Sequence, residues 1–238
     1  MSTFLFIDTS GPDAIIGISQ NEQIIATRQN SISNTHAEFV QAGIEELCKS
    51  VNLSLNTIDA ISVTMGPGSY TGLRVGLASA KGLAFALNKP LIGLSTLTLL
   101  AKAAMRQLNE INNAILKEQH LQIFSMIDAR RMEVFGAVYS KTLDYLIPEK
   151  AYVLDEAFLL SLLKNGPLIC IGSGVAKTKI LAQHADFHNN SPFFLAASYS
   201  INDMLDLTLQ KMQKSDFEDL AYASPAYLKE YYLKPLIK

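Results

Sequence analysis

The chain has 238 residues, 49% of them hydrophobic and 18% charged, with a formal net charge of -2 and a pI near 6.1. That length can bury one large core or two modest ones, and the acidic balance excludes a surface built mainly to hold phosphate backbones. The longest apolar stretches, such as Leu91 to Leu100, are short or interrupted by Ser, Thr and Gly, well below the ~20 residues that span a bilayer.

At the N-terminus, "MSTFLFIDTSG" lacks a basic n-region and a small-residue cleavage site, and its apolar run ends in Asp8. The expectation is a cytosolic chain without a membrane contact. "TFLFIDT", "AIIGISQ" and "QIIATRQ" predict three short strands, because β-branched residues alternate and "SGPD" and "NE" supply turns. A helical pattern follows from Thr35 to about Val51, with Ala37, Val40, Ile44, Leu47 and Val51 on one seam. Next come a strand "DAISVT", the loop "GPGSYTGLRVG", a helix to about Asn88, a strand "PLIGL" and a helix from Ser95 to Leu108. After the polar "NEINNAILKEQ", the strands "LQIFSMID", "EVFGAVYS" and "YLIPEKAYVL", the helix "DEAFLLSLLKN" and the strand "PLICIG" start the same order again. Cys48 and Cys170, the only cysteines, each sit in an apolar pattern and read as small core residues.

The two halves also match in detail. Phe4, Ile7, Asp8 and Gly17 are echoed by Phe124, Ile127, Asp128 and Gly136, with the Asp-to-Gly spacing differing by one. Two βββαβα lobes, each with an Asp closing its first strand, face one another across a cleft in the actin-like, hexokinase-like and Hsp70-like fold. The expected class is therefore α/β, a two-lobed actin-like (ASKHA) fold with duplicated lobes. Residues 1–108 would form the first lobe, 109–215 a smaller second lobe, and 216–238 would dock back on the first.

Gly66, Gly68 and Gly72, with Ser69 or Thr71 as N-cap, have the spacing of a phosphate loop, in which N–H groups converge on an anion at a helix N-terminus. The loop lacks the Gly-Lys-Ser/Thr ending of a Walker A motif. Its nearest cation, Arg74, lies in the first helical turn, against the helix dipole, and calls for an anion or a partner carboxylate. In the second half Asp128 is followed by Ala129, Arg130 and Arg131, whose long side chains fill the room a second phosphate turn leaves open. "GSGV", from Gly172 to Val175, reads equally as a remnant nucleotide turn or as plain turn chemistry. The loop is thus expected to be a degenerate phosphate loop, with no cofactor held by this chain alone. His36 has no second histidine at helical spacing, and His120, His184 and His188 lie in polar segments, so neither a metal site nor a catalytic dyad is expected.

In the helix after the loop, Arg74, Lys81 and Asn88 form one polar stripe, Gly72, Gly76 and Ser79 permit close approach, and Leu73, Leu77, Ala80, Ala84 and Leu87 form an apolar seam. Such a helix is either sandwiched within its own domain or an interface helix. The tail "AYASPAYLKEYYLKPLIK" interleaves tyrosines with lysines. It reads as a closing helix that docks its tyrosines on the first lobe, with RNA contact as the alternative.

"GPGSYTGLRVGLASAKGLAFALNKP", together with "FIDTS", "HAEFVQAGIEEL", "IDARRMEVF" and "ASPAYLKE", resembles the TsaB (YeaZ) family. The resemblance covers most of the chain and thins between residues 155 and 215. It implies a non-catalytic subunit for threonylcarbamoyladenosine synthesis in tRNA, one that scaffolds and activates the catalytic paralogue TsaD, with the ATPase TsaE as a third component. It implies packing of two helices against the equivalent pair of TsaD, with a homodimer through the same surface when alone. His36, Phe39, Val40, Leu73, Arg74, Gly76, Leu77 and Ala80 would be the contacts. ATP or ADP would sit, if anywhere, at the junction of the complex, and tRNA would be reached through the complex. TsaD carries two histidines at i and i+4; here His36 matches the first and Val40 replaces the second. The rival readings are a free-standing phosphotransferase using Asp8 and Asp128, and a metallopeptidase, which needs the ligand that Val40 does not supply.

Overall fold

The computed structural model describes residues 2–32, 36–110, 114–184 and 191–229. β1 (Thr3–Asp8), β2 (Ala14–Gln20) and β3 (Gln23–Asn30) form an antiparallel meander. β4 (Ala60–Gly66) then adds parallel to β1 and β5 (Leu91–Ser95) parallel to β4. Every residue of β1 is buried, as expected of a central strand covered on both faces. β6 (Gln122–Asp128), β7 (Glu133–Ser140), β8 (Tyr145–Val153), β9 (Leu168–Ile171) and β10 (Phe193–Leu195) build the second sheet.

The first sheet runs β3-β2-β1-β4-β5; the second, read from its far edge, runs β8-β7-β6-β9-β10, which is the same topology. Register repeats as well, Phe6 facing Gly17 as Met126 faces Gly136. The chain thus has the two-lobed actin-like α/β fold with duplicated lobes.

The helices fall at matching points of each repeat. α1 (His36–Ser50) and α4 (Glu156–Leu163) follow the meanders, α2 (Tyr70–Leu87) and α5 (Val175–His184) join the parallel strands, and α3 (Thr96–Glu110) and α6 (Ile201–Lys214) close each half. α1 and α2 cover one face of the first sheet, packing Val40, Ile44, Leu47, Leu77 and Ala80 on Leu5, Ile7, Ile16 and Val63. α4 and α5 cover the outer face of the second, with Leu159, Leu162 and Val175 on Phe124, Met126 and Val138.

The closing helices cross over. Leu97, Leu100, Ala101 and Ala104 of α3 pack on Ile123, Tyr139 and Ile171 of the second sheet, whereas Ile201, Met204 and Leu205 of α6 pack on Phe4, Phe6, Ile92 and Leu94 of the first. A boundary at residue 215 leaves α6 with the wrong sheet; its apolar face instead fills the open side of β1 and β5. The two helices meet in a half-buried fork, Arg106 Nε and a terminal nitrogen donating to the two Asp203 oxygens at 3.0 and 3.2 Å. Asp203 also completes a capping box with Ser200 at the start of α6. Elsewhere Ser95 Oγ, which caps α3 through Leu97 N–H at 3.1 Å, donates to Glu149 of β8, tying first lobe to second. Tyr139 and Tyr145 donate to the same Glu149 oxygen at 3.1 and 2.7 Å.

The tail does not form the expected helix over its described part. Residues 218–229 run in an irregular course along β5, β4 and α2, because Pro225 and the neighbouring sheet edge direct their donors outward. Glu218 N–H donates to Leu91 O at 2.8 Å, Ala226 N–H to Met65 O at 2.8 Å, and Lys81 Nζ to Ala223 O at 3.0 Å. Tyr231, Tyr232, Lys234 and Lys238 lie outside the described residues. Among the described residues no helix is long and apolar enough to cross a membrane.

Candidate functional site: the glycine loop and the cleft

β4 ends at Gly66, whose φ of 106° is open to glycine and not to larger residues. Ser69 then caps α2, its Oγ accepting from Gly72 N–H at 3.3 Å. The next glycines lie against the β1–β2 turn of the same chain. A Cβ on Gly68 would stand 2.4 Å from Ser10 O, one on Gly72 2.0 Å from Thr9 O, and one on Gly76 2.2 Å from Thr9 Oγ1. Ser69 N–H donates to Ser10 O at 2.7 Å, and Thr9 Oγ1 to Gly72 O at 2.7 Å. The close approach that the glycines permit is to Thr9 and Ser10, and the Ser69 and Gly72 donors are answered internally.

Asp8 anchors that turn. Its carboxylate, 3% exposed, accepts from Ser10 N–H at 2.9 Å, Ser10 Oγ at 2.8 Å and Thr64 Oγ1 at 2.8 Å. Ser10 Oγ is also 2.8 Å from Tyr199 Oη, a hydroxyl whose pKa burial and then the Asp8 charge push well above its ordinary value. All three bonds fall on Oδ1, and through it the aspartate fixes the loop. Thr9, Ser10, Thr64 and Tyr199 were not singled out in the sequence. The glycine spacing signalled a close approach, but nothing local named its counterpart.

Across the cleft, the β6–β7 turn is built differently. Asp128 is exposed and accepts from Lys177 Nζ of α5 at 2.9 Å and Arg130 N–H at 2.7 Å; Lys177 first, then that N–H, holds its carboxyl below the usual range. Asp128 N–H donates to Ser173 Oγ at 3.0 Å, and Gly172, with φ 104°, lies so close to β6 that a Cβ would stand 2.1 Å from Met126 O. "GSGV" therefore serves as a tight strand-to-helix turn. A cavity of about 580 Å³ between the lobes is lined by Ser10, Gly11, His36, Gly68, Ser69 and Asp128 among others. His36 is half-buried at the first residue of α1 and Val40 lies in the core. Among the described residues no three His, Cys, Asp or Glu side chains gather in metal-binding geometry.

The nominated partner residues divide. Val40, Leu73, Leu77 and Ala80 are at most 4% exposed and Gly76 is buried against Thr9, so these side chains pack within the chain's own core. The inner seam of α2 is needed to cover the first sheet. Phe39 is half-buried, and Arg74 is exposed, donating from Nε to Tyr227 Oη at 2.8 Å with its guanidinium 4.0 Å above the Tyr70 ring. Within the chain, two tyrosines answer this arginine. Outward from the seam, Gln41 and Glu45 of α1 and Ala78, Gly82 and Phe85 of α2 are exposed, Phe85 at 79%. Gln41, Glu45, Ala78 and Gly82 border a groove of about 590 Å³, and a Cβ on Gly82 would meet nothing within 4 Å. The i, i+4 spacing of Ala78 and Gly82, opposite Leu73 and Leu77, is the sequence signal for this second face.

A duplicated actin-like fold with a glycine loop folded onto its own first turn defines the class. The family model described as "TsaD: tRNA N6-adenosine threonylcarbamoyltransferase" matches residues 23–234, and the chain belongs to that family. The tRNA threonylcarbamoyladenosine biosynthesis protein TsaB of Haemophilus influenzae is 34% identical over 134 residues, which is 56% of this chain and 52%, about half, of that protein. The TsaB protein of Escherichia coli is 26% identical over 199 residues, 82% of this chain and 80% of that one. The solved structure of YeaZ from Pseudomonas aeruginosa matches with a TM-score of 0.73 at 22% identity, covering 96% of this chain and 100% of that one, and shows the fold. The resemblance to TsaB (YeaZ) read from the sequence is thereby shown.

Proposed function

We propose that this chain takes part in the synthesis of threonylcarbamoyladenosine in tRNA as an accessory subunit without an active site of its own. It supports a TsaD-type catalytic paralogue through the exposed face of α1 and α2, with a TsaE-type ATPase as third component, and it self-associates through the same face when alone. The observation that carries this reading is the glycine loop, whose glycines are closed on Thr9 and Ser10 while the helix they launch presents Ala78 and Gly82 to the outside. Asp8 and Asp128, the pair a phosphotransferase would use, are engaged by Ser10 and Thr64 and by Lys177. Nucleotide is accordingly held only at the junction with the partner.

The test is threonylcarbamoyl transfer to tRNA in a mixture with TsaD-type and TsaE-type proteins, run with the chain, without it, and with Gly82→Arg. Omission and the substitution should both abolish modification, while the variant melts no lower than the parent because the added side chain enters open space. Undiminished modification without the chain would overturn the proposal. So would turnover of Mg-ATP by the chain alone.

A further inference from the structure

The β6–β7 hairpin turn carries two arginines in succession at left-handed φ, Arg130 at 68° and Arg131 at 49°. Tight hairpin turns of this hand favour Asn and Gly, because a Cβ is crowded there. Bulky residues held in such a conformation point to a use for their side chains. Both arginines are exposed, and among the described residues neither guanidinium is paired with a carboxylate. The nearest acids are already taken: Asp128 pairs with Lys177, and Glu133 with Lys229 of the tail.

Arg130 lines a cavity of about 380 Å³ together with Lys229, Phe135, Tyr70 and Tyr227. The two tyrosine rings stand 5.4 Å apart and are 38% and 47% exposed, with the Arg74 guanidinium 4.0 Å over the Tyr70 ring and 5.8 Å from that of Tyr227. Five cations (Arg74, Arg130, Arg131, Lys177, Lys229) thus meet two carboxylates (Asp128, Glu133) on a chain whose overall charge is -2. Partly exposed tyrosine rings beside guanidinium groups without a carboxylate partner match a strand whose bases stack and whose phosphates pair with cations.

We propose that this rim binds single-stranded RNA, with Arg130 and Arg131 on phosphates and Tyr70 and Tyr227 as base platforms, positioned by Arg74. The assignment of that RNA to tRNA rests on the function proposed above. The experiment is fluorescence anisotropy of labelled, unmodified tRNA with the full chain across a salt series. Substituting Arg130→Gly together with Arg131→Gly removes both charges and relaxes the backbone, so this variant should melt at or above the parent temperature. Its affinity should fall about tenfold or more at low salt, and the slope of log affinity against log salt should drop by about 1.4, at roughly 0.7 per lost single-strand phosphate contact. Tyr227→Ala should weaken binding several-fold with the slope unchanged. The same loss in a Lys141→Gln, Lys164→Gln control at the other end of the second sheet would overturn the proposal, as would absence of saturable binding or unchanged binding by the glycine variant. Displacement of the tRNA by Mg-ATP would reassign the cavity to a free nucleotide. Modification that survives omission of the chain would defeat the accessory role without touching this inference, and required modification with unaltered RNA binding by the glycine variant would defeat only this one.

Discussion

At the scale of single residues, the glycines of the loop were legible and their purpose was not. Gly68, Gly72 and Gly76 advertise close approach, but a phosphate and a neighbouring turn demand the same absence of Cβ, and Thr9 and Ser10 lie far away in sequence. Gly72→Ala should therefore destabilise the fold by at least about 2 kcal/mol, since the added carbon meets backbone that cannot swing aside; a denaturant titration reads this directly. The cysteines followed their apolar pattern. Burial pushes the thiol pKa of both Cys48 and Cys170 up, so neither supplies thiolate near neutrality. A thiol reagent should find no fast-reacting cysteine in the native chain and two after unfolding.

Among the elements, periodicity located every strand and helix of the first repeat to within a residue or two, because turn-formers flank each and the seams are regular. It did less well after β9. α5 mixes apolar and polar residues around its circumference, β10 is three residues long, and the place of α6 is set by a sheet formed from the opposite end of the chain. The faces of α2 show the same limit, since a seam for the core and a seam for a partner have one composition. Leu77→Arg should consequently lower the melting temperature of the isolated chain sharply, whereas Gly82→Arg should not; paired melting curves check it. The tail has a pH signature. Lys229 holds the Glu133 carboxyl below its ordinary range, and Lys177 does so for Asp128. A depressed carboxyl favours the paired state above its unfolded pKa and loses that contribution as pH falls through the folded value. The tail should thus loosen in acid, below about pH 4, and the ring signals of Tyr227 followed by NMR should shift there, but not in Lys229→Met. Each pair has one exposed partner, Asp128 or Lys229, so solvent screens it and global stability should change little through them.

For the whole molecule, two lobes and one fold class were readable because the duplication is written in the order of strands. The contacts that join the lobes were not. Ser95 to Glu149, Arg106 to Asp203 and Lys229 to Glu133 all pair residues of unrelated sequence neighbourhoods. If the α1/α2 face carries self-association, the parent chain should elute as a dimer in size exclusion with light scattering and Gly82→Arg as a monomer. The crossing of α3 and α6 has a further consequence during synthesis. Phe4, Phe6, Ile92 and Leu94 leave the ribosome early, but their cover, Ile201 to Leu207, is made near the end. Until then the nascent chain presents an apolar sheet face covered only in part by α3, and a product truncated before α6 should keep that face open to solvent.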